Sequence, residues 1–472
     1  MPRIAIVGAG IAGLTAALTL QDAGLSCDIY EASDRVGGRM HSDRKTWTDG
    51  VVSEWCGEFI DGDHETIHRL TRRFGLATVE TKQGRAGPAP RFMYLFRRYY
   101  RADELAEDLQ ALAPRLQQQI REAGFPTTHD RFSQEGLRLD QMSAHEWIEQ
   151  YVEGGHNTPA GRLLDAACTG FYGLGTGEQS ALNLVYLFGE RGPLRNSPTT
   201  DSLQSSSRIV GGNEQLPLAI ARSLEQGCIH LHHQLVAIER TGDTSLSLTF
   251  TTPDGLSHVQ CDRAILTLPF STLRRVDYQR AGFDSLKRAA IEELGYGTIS
   301  KLFLQFDLPY WDEEGPWPYP HNGFFVTDLE MQALWDASPG HPGFSGLLVA
   351  YMGGRQGATF APETACSTTA DSPTVRRYAR HYLQQIEQIF PGISAHYTGR
   401  AALSYPTGDP YLRGSYACWR IGQYTRFAGY ESVQQGAVHF AGEHCSVEFQ
   451  GFMEGAAREG IRAAREIIQD RG

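Results

Sequence analysis

Ile4-Ala5-Ile6-Val7-Gly8-Ala9-Gly10-Ile11-Ala12-Gly13-Leu14-Thr15-Ala16-Ala17 stands almost at the start of the chain. Ile4–Val7 is a short apolar run that reads as a buried strand. A G-x-G-x-x-G turn follows at Gly8, Gly10 and Gly13, and small helix formers continue to Leu20, with Gly24 as a stop. Ser26–Tyr30 reads as a second strand with Glu31 at its end. The first glycine makes the tight turn, the second lets a pyrophosphate approach the backbone, and the third lets helix and strand pack closely. The helix N-terminus offers free N–H groups and the positive end of its dipole to phosphate. Glu31 can accept hydrogen bonds from ribose hydroxyls, and its charge would repel a 2′-phosphate. A lone glycine motif is weak. Strand, turn, helix and acid at these spacings predict a dinucleotide site.

Ala32-Ser33-Asp34-Arg35-Val36-Gly37-Gly38-Arg39 follows the acid directly and bears on which dinucleotide is bound. Two glycines bracketed by two arginines suit a loop that passes close to a pyrophosphate. The glycines permit unusual dihedrals, and the arginines can pair with the phosphates. With the preceding fingerprint, E-x-x-x-R-x-G-G-R at 31–39 resembles the flavin signature of the flavin-containing amine oxidases, a family that spans monoamine, polyamine and L-amino-acid oxidases. The resemblance implies FAD.

It extends through most of the chain. Ser53–Asp61 resembles the family's segment under the flavin ring, and Arg208–Pro217 its second glycine pair, which opens a helix. Val236-Ala237-Ile238 is strand-like and in relatives lies beside the adenosine; Ala264–Pro269 ends another strand. Val438–Glu443 reads as a strand ending in Gly442-Glu443, and a small-residue helix is expected to begin at Gly451. That helix N-terminus, aimed at the flavin, would stabilise an anionic reduced ring. Between these motifs, Leu105, Leu109, Leu112, Leu116 and Ile120 have helical spacing, and further helical patterns surround Trp147, Leu163 and Leu182. Gly192–Ser207 reads as a linker, Thr298–Phe306 and Gly346–Tyr351 as strands, and Val375–Phe390 as a helix. The expected fold is α/β: a Rossmann-type FAD-binding domain of the amine oxidase (glutathione-reductase-like) type, interleaved with a mixed α/β substrate domain containing a helical part. The FAD domain would take residues 1–85, 207–277 and 430–472, and the substrate domain 86–206 and 278–429.

Composition sets outer limits. The 472 residues carry 43 Lys+Arg against 55 Asp+Glu, a net charge of −12, which disfavours nucleic acid as a partner. The chain is long enough to bury a large core without disulfides. Its 8 cysteines include no C-x-x-C, so neither a zinc ribbon nor a thioredoxin-type pair is indicated. No apolar run reaches the ~20 residues that span a bilayer. A cytoplasmic protein without a membrane partner is expected, and a homodimer is compatible with the resemblance.

The resemblance also assigns roles. Lys301, inside the Thr298–Phe306 strand, falls where relatives hold a water on flavin N5. Tyr416 and Phe452 fall where monoamine oxidases place two facing aromatics, here with Phe instead of the usual second Tyr. Electron-rich faces favour an amine nitrogen between them. Gly442 and Glu443 join Gly8, Gly10, Gly13, Glu31, Arg35, Gly37, Gly38, Arg39, Val236 and Phe452 as the cofactor-binding set. Ser415 stands where mammalian monoamine oxidases carry the cysteine bonded to the flavin; serine cannot form that thioether and Cys418 is three residues away, so FAD is expected to be non-covalent. Glu58 and Asp61 are candidates to meet a cationic substrate. His64 and His444 lie near flavin motifs and read as structural. No nucleophile elbow and no H-E-x-x-H metal spacing occurs.

The implied activity is oxidation of a primary or secondary amine to an imine, which hydrolyses to an aldehyde plus ammonia or a smaller amine, with O2 reduced to H2O2. L-amino-acid oxidation is the competing reading. Snake-venom-type enzymes bind the substrate carboxylate with an arginine; Phe59 stands at the matching position, and Phe452 where those enzymes have Trp. Arg91, Arg97, Arg98 and Arg420 are the other arginines that could serve. A flavin desaturase and a non-catalytic FAD-binding protein are the remote alternatives.

Overall fold

The structure, a computed structural model, describes residues 2–81, 92–189, 206–242, 245–318, 325–341 and 343–470. A five-stranded parallel sheet has the order Val438–Phe440, Arg263–Leu266, Ile4–Val7, Asp28–Tyr30, Ile229–His230. It gathers strands from the start, the middle and the end of the chain. Ile4–Val7 lies between two neighbours and is buried on both faces, which is why it reads as an unbroken apolar run. The helices Ile11–Asp22 and Met453–Gln469 pack together over one face of the sheet. They come close because their contact residues are small: a Cβ on Gly460 would lie 2.1 Å from the Ala12 carbonyl oxygen, and Thr15 Oγ donates to Ala457 O at 3.1 Å.

The second sheet is a four-stranded layer, Gly255–Cys261, Leu246–Thr252, Gln234–Arg240 and Asp277–Arg280. The third has six strands, in the order Phe325–Val326, Ala333–Asp336, Gly346–Met352, Ser300–Phe306, Tyr397–Ser404, Cys366–Thr368, and is antiparallel throughout. Ser300–Phe306 is therefore an interior strand. Its alternation sends Leu302, Leu304 and Phe306 into a core shared with the Pro373–Ile389 helix. Phe303 faces the opposite side, among Trp47, Trp55 and Trp335, and Lys301 shares that face by the same period of two. A helical layer of Ala102–Ala123, Gln134–Asp140, Ala144–Tyr151, Pro159–Tyr172 and Ala181–Phe188 surrounds Trp147 and Leu182.

Element ends depart from the sequence reading in small ways. The second strand starts at Asp28 rather than Ser26, and the Lys301 strand at Ser300 rather than Thr298. Ser207, read as the last linker residue, instead opens a strand, Ser207–Ile209, paired with Thr78–Glu80. Residues 192–205 of that linker lie outside the described residues. Among the described residues no helix is long and apolar enough to cross a membrane.

Candidate active site

A cavity of about 850 Å³ runs from the first glycine turn to the six-stranded sheet. Gly8, Gly10, Glu31, Arg35, Gly37, Gly38, Arg39 and Val236 line it, as do Gly442, Glu443, Lys301, Tyr416, Phe452, Glu58 and Asp61. Sixteen sequence-predicted residues are thus fifteen that share one cavity and one, Gly13, that stands behind it.

The glycines divide their work physically. Gly8 has φ +105°, and a Cβ on Gly13 would sit 1.9 Å from the Gly8 carbonyl oxygen, so this helix–strand contact exists only without a side chain. Gly10 is different: a Cβ there meets nothing within 4 Å, so its Cα faces open cavity. It is also the N-cap of the Ile11–Asp22 helix, with no side-chain cap and no acidic residue in the first turn. An uncapped helix end over open space fits a phosphate group. Glu31 accepts from Ala9 N at 2.7 Å and from Ser33 N and Oγ at 2.9 and 2.7 Å, which fixes its carboxylate at the cavity wall. Gly37 N donates to Ala9 O at 2.8 Å, joining the second glycine loop to the first. These features fit a dinucleotide.

The two loop arginines are held by protein. Arg35 donates to Gly38 O at 2.9 Å. Arg39 Nη1 donates to Glu443 Oε1 at 2.9 Å and to Ser415 O at 2.8 Å. Glu443, 4% exposed at its side chain, also accepts from Ala417 N at 3.2 Å and Gly451 N at 2.8 Å. One carboxylate thus ties three distant cavity segments together. Gly451 has φ +86°, outside the helical region, so the last helix starts at Met453, with Phe452 as N-cap, and not at Gly451.

Lys301 and Glu58 meet. Lys301 Nζ donates to Cys56 O at 2.7 Å, Glu58 Oε2 at 3.0 Å and Glu54 O at 3.2 Å. All three ammonium hydrogens have protein acceptors, so a water-bridged contact from Lys301 requires one of them to be released. Glu58 is paired again through Oε1, with Trp335 Nε1 at 3.1 Å and Arg208 Nη1 at 3.4 Å. Arg208 is anchored on Ala337 O and Pro339 O at 2.9 and 2.8 Å. Glu58, expected to meet a cationic substrate, lines the cavity with two protein cations, Lys301 and Arg208, already beside it. Asp61 accepts from Ser206 Oγ and lies 3.8 Å from His64 Nε2. His64 is itself fixed by the Asp61 N–H at 3.0 Å, and burial holds its pKa down, as a structural histidine requires. His444 is buried against Phe270 and does not line the cavity.

The aromatic end is larger than the pair read from sequence. Tyr416 donates its hydroxyl to Phe171 O. Its only hydrogen is then used, so at the 3.1 Å contact between Tyr351 and Tyr416 hydroxyls Tyr351 is the donor. Phe452 stands 6.2 Å from the Phe171 ring and 5.3 Å from the His64 ring. Trp335 lies 5.0 Å from Tyr351 and 5.6 Å from Phe59. Phe171, Tyr351, Trp335 and Arg208 were not picked out by sequence reasoning. Tyr351 stands directly across from Lys301 in the sheet, a relation visible only once the register is known. Of the arginines proposed for a carboxylate, Arg97 and Arg98 are exposed, Arg420 is exposed beside Glu178 at 3.6 Å, and Arg91 lies outside the described residues.

Glu54 supports the cavity floor from behind. It is 1% exposed and accepts from Asn213 N and Ser42 Oγ, both at 2.8 Å. Burial outweighs these bonds and pushes its pKa up to about 8. A folded pKa above the unfolded one means the stability it contributes is complete below about pH 4.5 and is lost as pH rises to about 8. Glu54→Gln, which mimics the protonated acid, is expected to remove that decline. Urea midpoints at pH 5 and pH 8 should show wild type losing at least ~1 kcal/mol relative to the variant over the interval; parallel curves would refute it.

Comparison with known proteins agrees with this geometry. Residues 11–468 match the family described as flavin containing amine oxidoreductase. An L-amino-acid oxidase of Mus musculus is 26% identical, covering 100% of this chain and 71% of its own. One from Pseudechis australis is 25% identical, covering 98% of this chain and 86% of its own. Among solved structures, the cyclohexylamine oxidase of Brevibacterium oxydans has a TM-score of 0.82 at 20% identity, covering 100% and 99% of the two chains. A putrescine oxidase bound to putrescine has a TM-score of 0.80 at 20% identity, covering 99% of each. At that identity the structural likeness carries the fold, and the match over residues 11–468 carries the family. That match takes in nearly the whole chain, with its parallel sheet and glycine-loop cavity, and the chain belongs to the flavin-containing amine oxidoreductases.

Proposed function

We propose that the chain holds FAD without a covalent bond and oxidises a primary or secondary amine with an apolar body, using O2 and releasing H2O2. Ser415 lines the cavity and offers no thiol, and the nearby Cys418 is buried beside Asn183, away from the cavity lining. Bound flavin supplies what no side chain can, acceptance of a hydride equivalent from the substrate α-carbon and transfer of two electrons to O2. The protein supplies position and dryness. Phe171, Tyr351, Tyr416 and Phe452 wall the substrate end and exclude water around an uncharged amine. The hydroxyl chain from Tyr351 through Tyr416 to the Phe171 carbonyl fixes one wall and leaves Tyr416 no proton to give.

The observation that carries the amine reading is the locked Arg208–Glu58–Lys301 network. Its cations are each held by protein acceptors, Lys301 on Cys56 O, Glu54 O and Glu58 and Arg208 on Ala337 O, Pro339 O and Glu58, which leaves neither free to grip a substrate carboxylate. L-amino-acid oxidation is the second reading, favoured by the names of the sequence relatives. Anaerobic bleaching of the bound flavin by 2-phenylethylamine and by L-phenylalanine separates the two, because these compounds differ only by the carboxylate. The amine is expected to bleach at least ~10-fold faster, the scale of an unpaired buried charge. Bleaching by the amino acid alone would establish the second reading.

A further inference from the structure

Away from the cavity, the helix Ala144–Tyr151 presents His145 and Glu149 four residues apart, on one face. The short turn Gly155–Asn157 returns His156 to that face. One ligand-capable atom from each of the three lies within 4.8 Å of the others. The imidazole rings stack at 4.2 Å and 24°. His156 Nδ1 is 2.5 Å from Glu149 Oε1, and the His156 N–H donates to the same oxygen at 3.1 Å. Gly155, with φ +54°, makes room for this: a Cβ there would lie 2.6 Å from Glu149 Oε2.

The second imidazole nitrogen is the more telling one. His156 Nε2 is sealed from solvent and makes no hydrogen bond. It faces Asp165 Oδ1 at 3.5 Å, and that oxygen is fixed by the Thr176 hydroxyl. With a metal on Nδ1 the ring proton would sit on Nε2, on the side where Asp165 stands to orient it. Thr176 also accepts the His145 N–H at 3.1 Å, so the same loop braces both histidines. Two imidazoles and one carboxylate form a donor set suited to Zn²⁺, with a fourth position for water.

We propose that His145, Glu149 and His156 bind one Zn²⁺, with Asp165 as the outer carboxylate that orients His156. On binding, the 2.5 Å contact between Nδ1 and Oε1 opens to about 3.3 Å, the separation of two ligands at ~2 Å on a tetrahedral ion. The ion would clamp the Ala144–Tyr151 helix to the Gly155–Asn157 turn and, through Asp165 behind His156, to Pro159–Tyr172, whose last turn carries Phe171. The sequence reading expected no metal because the third ligand comes from the next turn, seven residues beyond Glu149, and matches no H-E-x-x-H pattern.

The test uses the flavin-loaded full chain, treated with EDTA and desalted, then titrated with zinc chloride by calorimetry. One Zn²⁺ per chain and a raised thermal midpoint are expected. Affinity should fall ~10–100-fold in His145→Ala and in Glu149→Gln, and by a similar factor in Asp165→Asn through loss of the outer carboxylate. His258→Ala, on an exposed strand, should bind as wild type. The flavin spectrum reports whether each variant is folded. No saturable binding by about 100 µM Zn²⁺, or binding that survives both the His145 and Glu149 substitutions, would overturn the proposal and leave a histidine–carboxylate ion pair only.

Discussion

Gly13→Ala is expected to give a protein that retains almost no flavin. The new methyl would stand 1.9 Å from the Gly8 carbonyl oxygen and 3.1 Å from its carbon. These atoms are backbone in the turn between Ile4–Val7 and Ile11–Asp22, so no rotamer change relieves the overlap. The helix must move by more than an ångström, and Gly8 N leaves the Tyr30 carbonyl that it meets at 2.8 Å. A clash of this kind in a packed core costs about 1–3 kcal/mol or more. Gly10→Ala separates folding from cofactor crowding. Its methyl meets no protein atom within 4 Å and should leave the apoprotein as stable as wild type, yet it occupies the space next to the uncapped helix end. Flavin content measured by absorbance after gel filtration should be low for both. Thermal midpoints of the apoproteins should fall only for Gly13→Ala. Wild-type flavin content in Gly10→Ala would mean that the phosphates do not lie over this turn.

What could be read from the sequence was whatever depends on neighbours in the chain. The turn at Gly8–Gly13 and the loop at Arg35–Arg39 are local, and their glycines and charges reveal their use directly. That Ser300–Phe306 is a strand follows from its alternation, and Lys301 stands out as the one charge in it, but an edge strand with an outward lysine would read the same, and the interior position needs the neighbours on both sides. What Lys301 does there was not legible. Its partner Glu58 is 243 residues away, and Arg208 closes the network from 150 residues beyond Glu58. Tyr351 as donor to Tyr416 needs both the strand register and the Phe171 carbonyl, which lie on three separate elements. The start of the last helix was misplaced for a similar reason. Nothing near Gly451 in sequence tells that its φ is +86°, which keeps it out of the helix.

Lys301→Met is expected to slow the flavin half-reactions in stopped flow by at least ~100-fold, the usual scale for losing a positioned proton-handling group. Stability should change as well. Methionine leaves the Cys56 and Glu54 carbonyls without their 2.7 and 3.2 Å donor, and leaves Glu58, 3% exposed, paired with Arg208. Leaving buried acceptors without a donor in this way costs about 1–3 kcal/mol. A slow variant could therefore be merely a loosened one. Glu58→Gln distinguishes the cases, because it loosens the same network, leaving Lys301 and Arg208 without their carboxylate, yet keeps the lysine. Its stability should fall, read as a urea midpoint, while its half-reactions stay within about 10-fold of wild type. If it slows as much as Lys301→Met, Lys301 acts only by holding the segment around Cys56 in place. If Lys301→Met is as fast as wild type, the lysine has no part in the chemistry, and its three protein acceptors are its whole function.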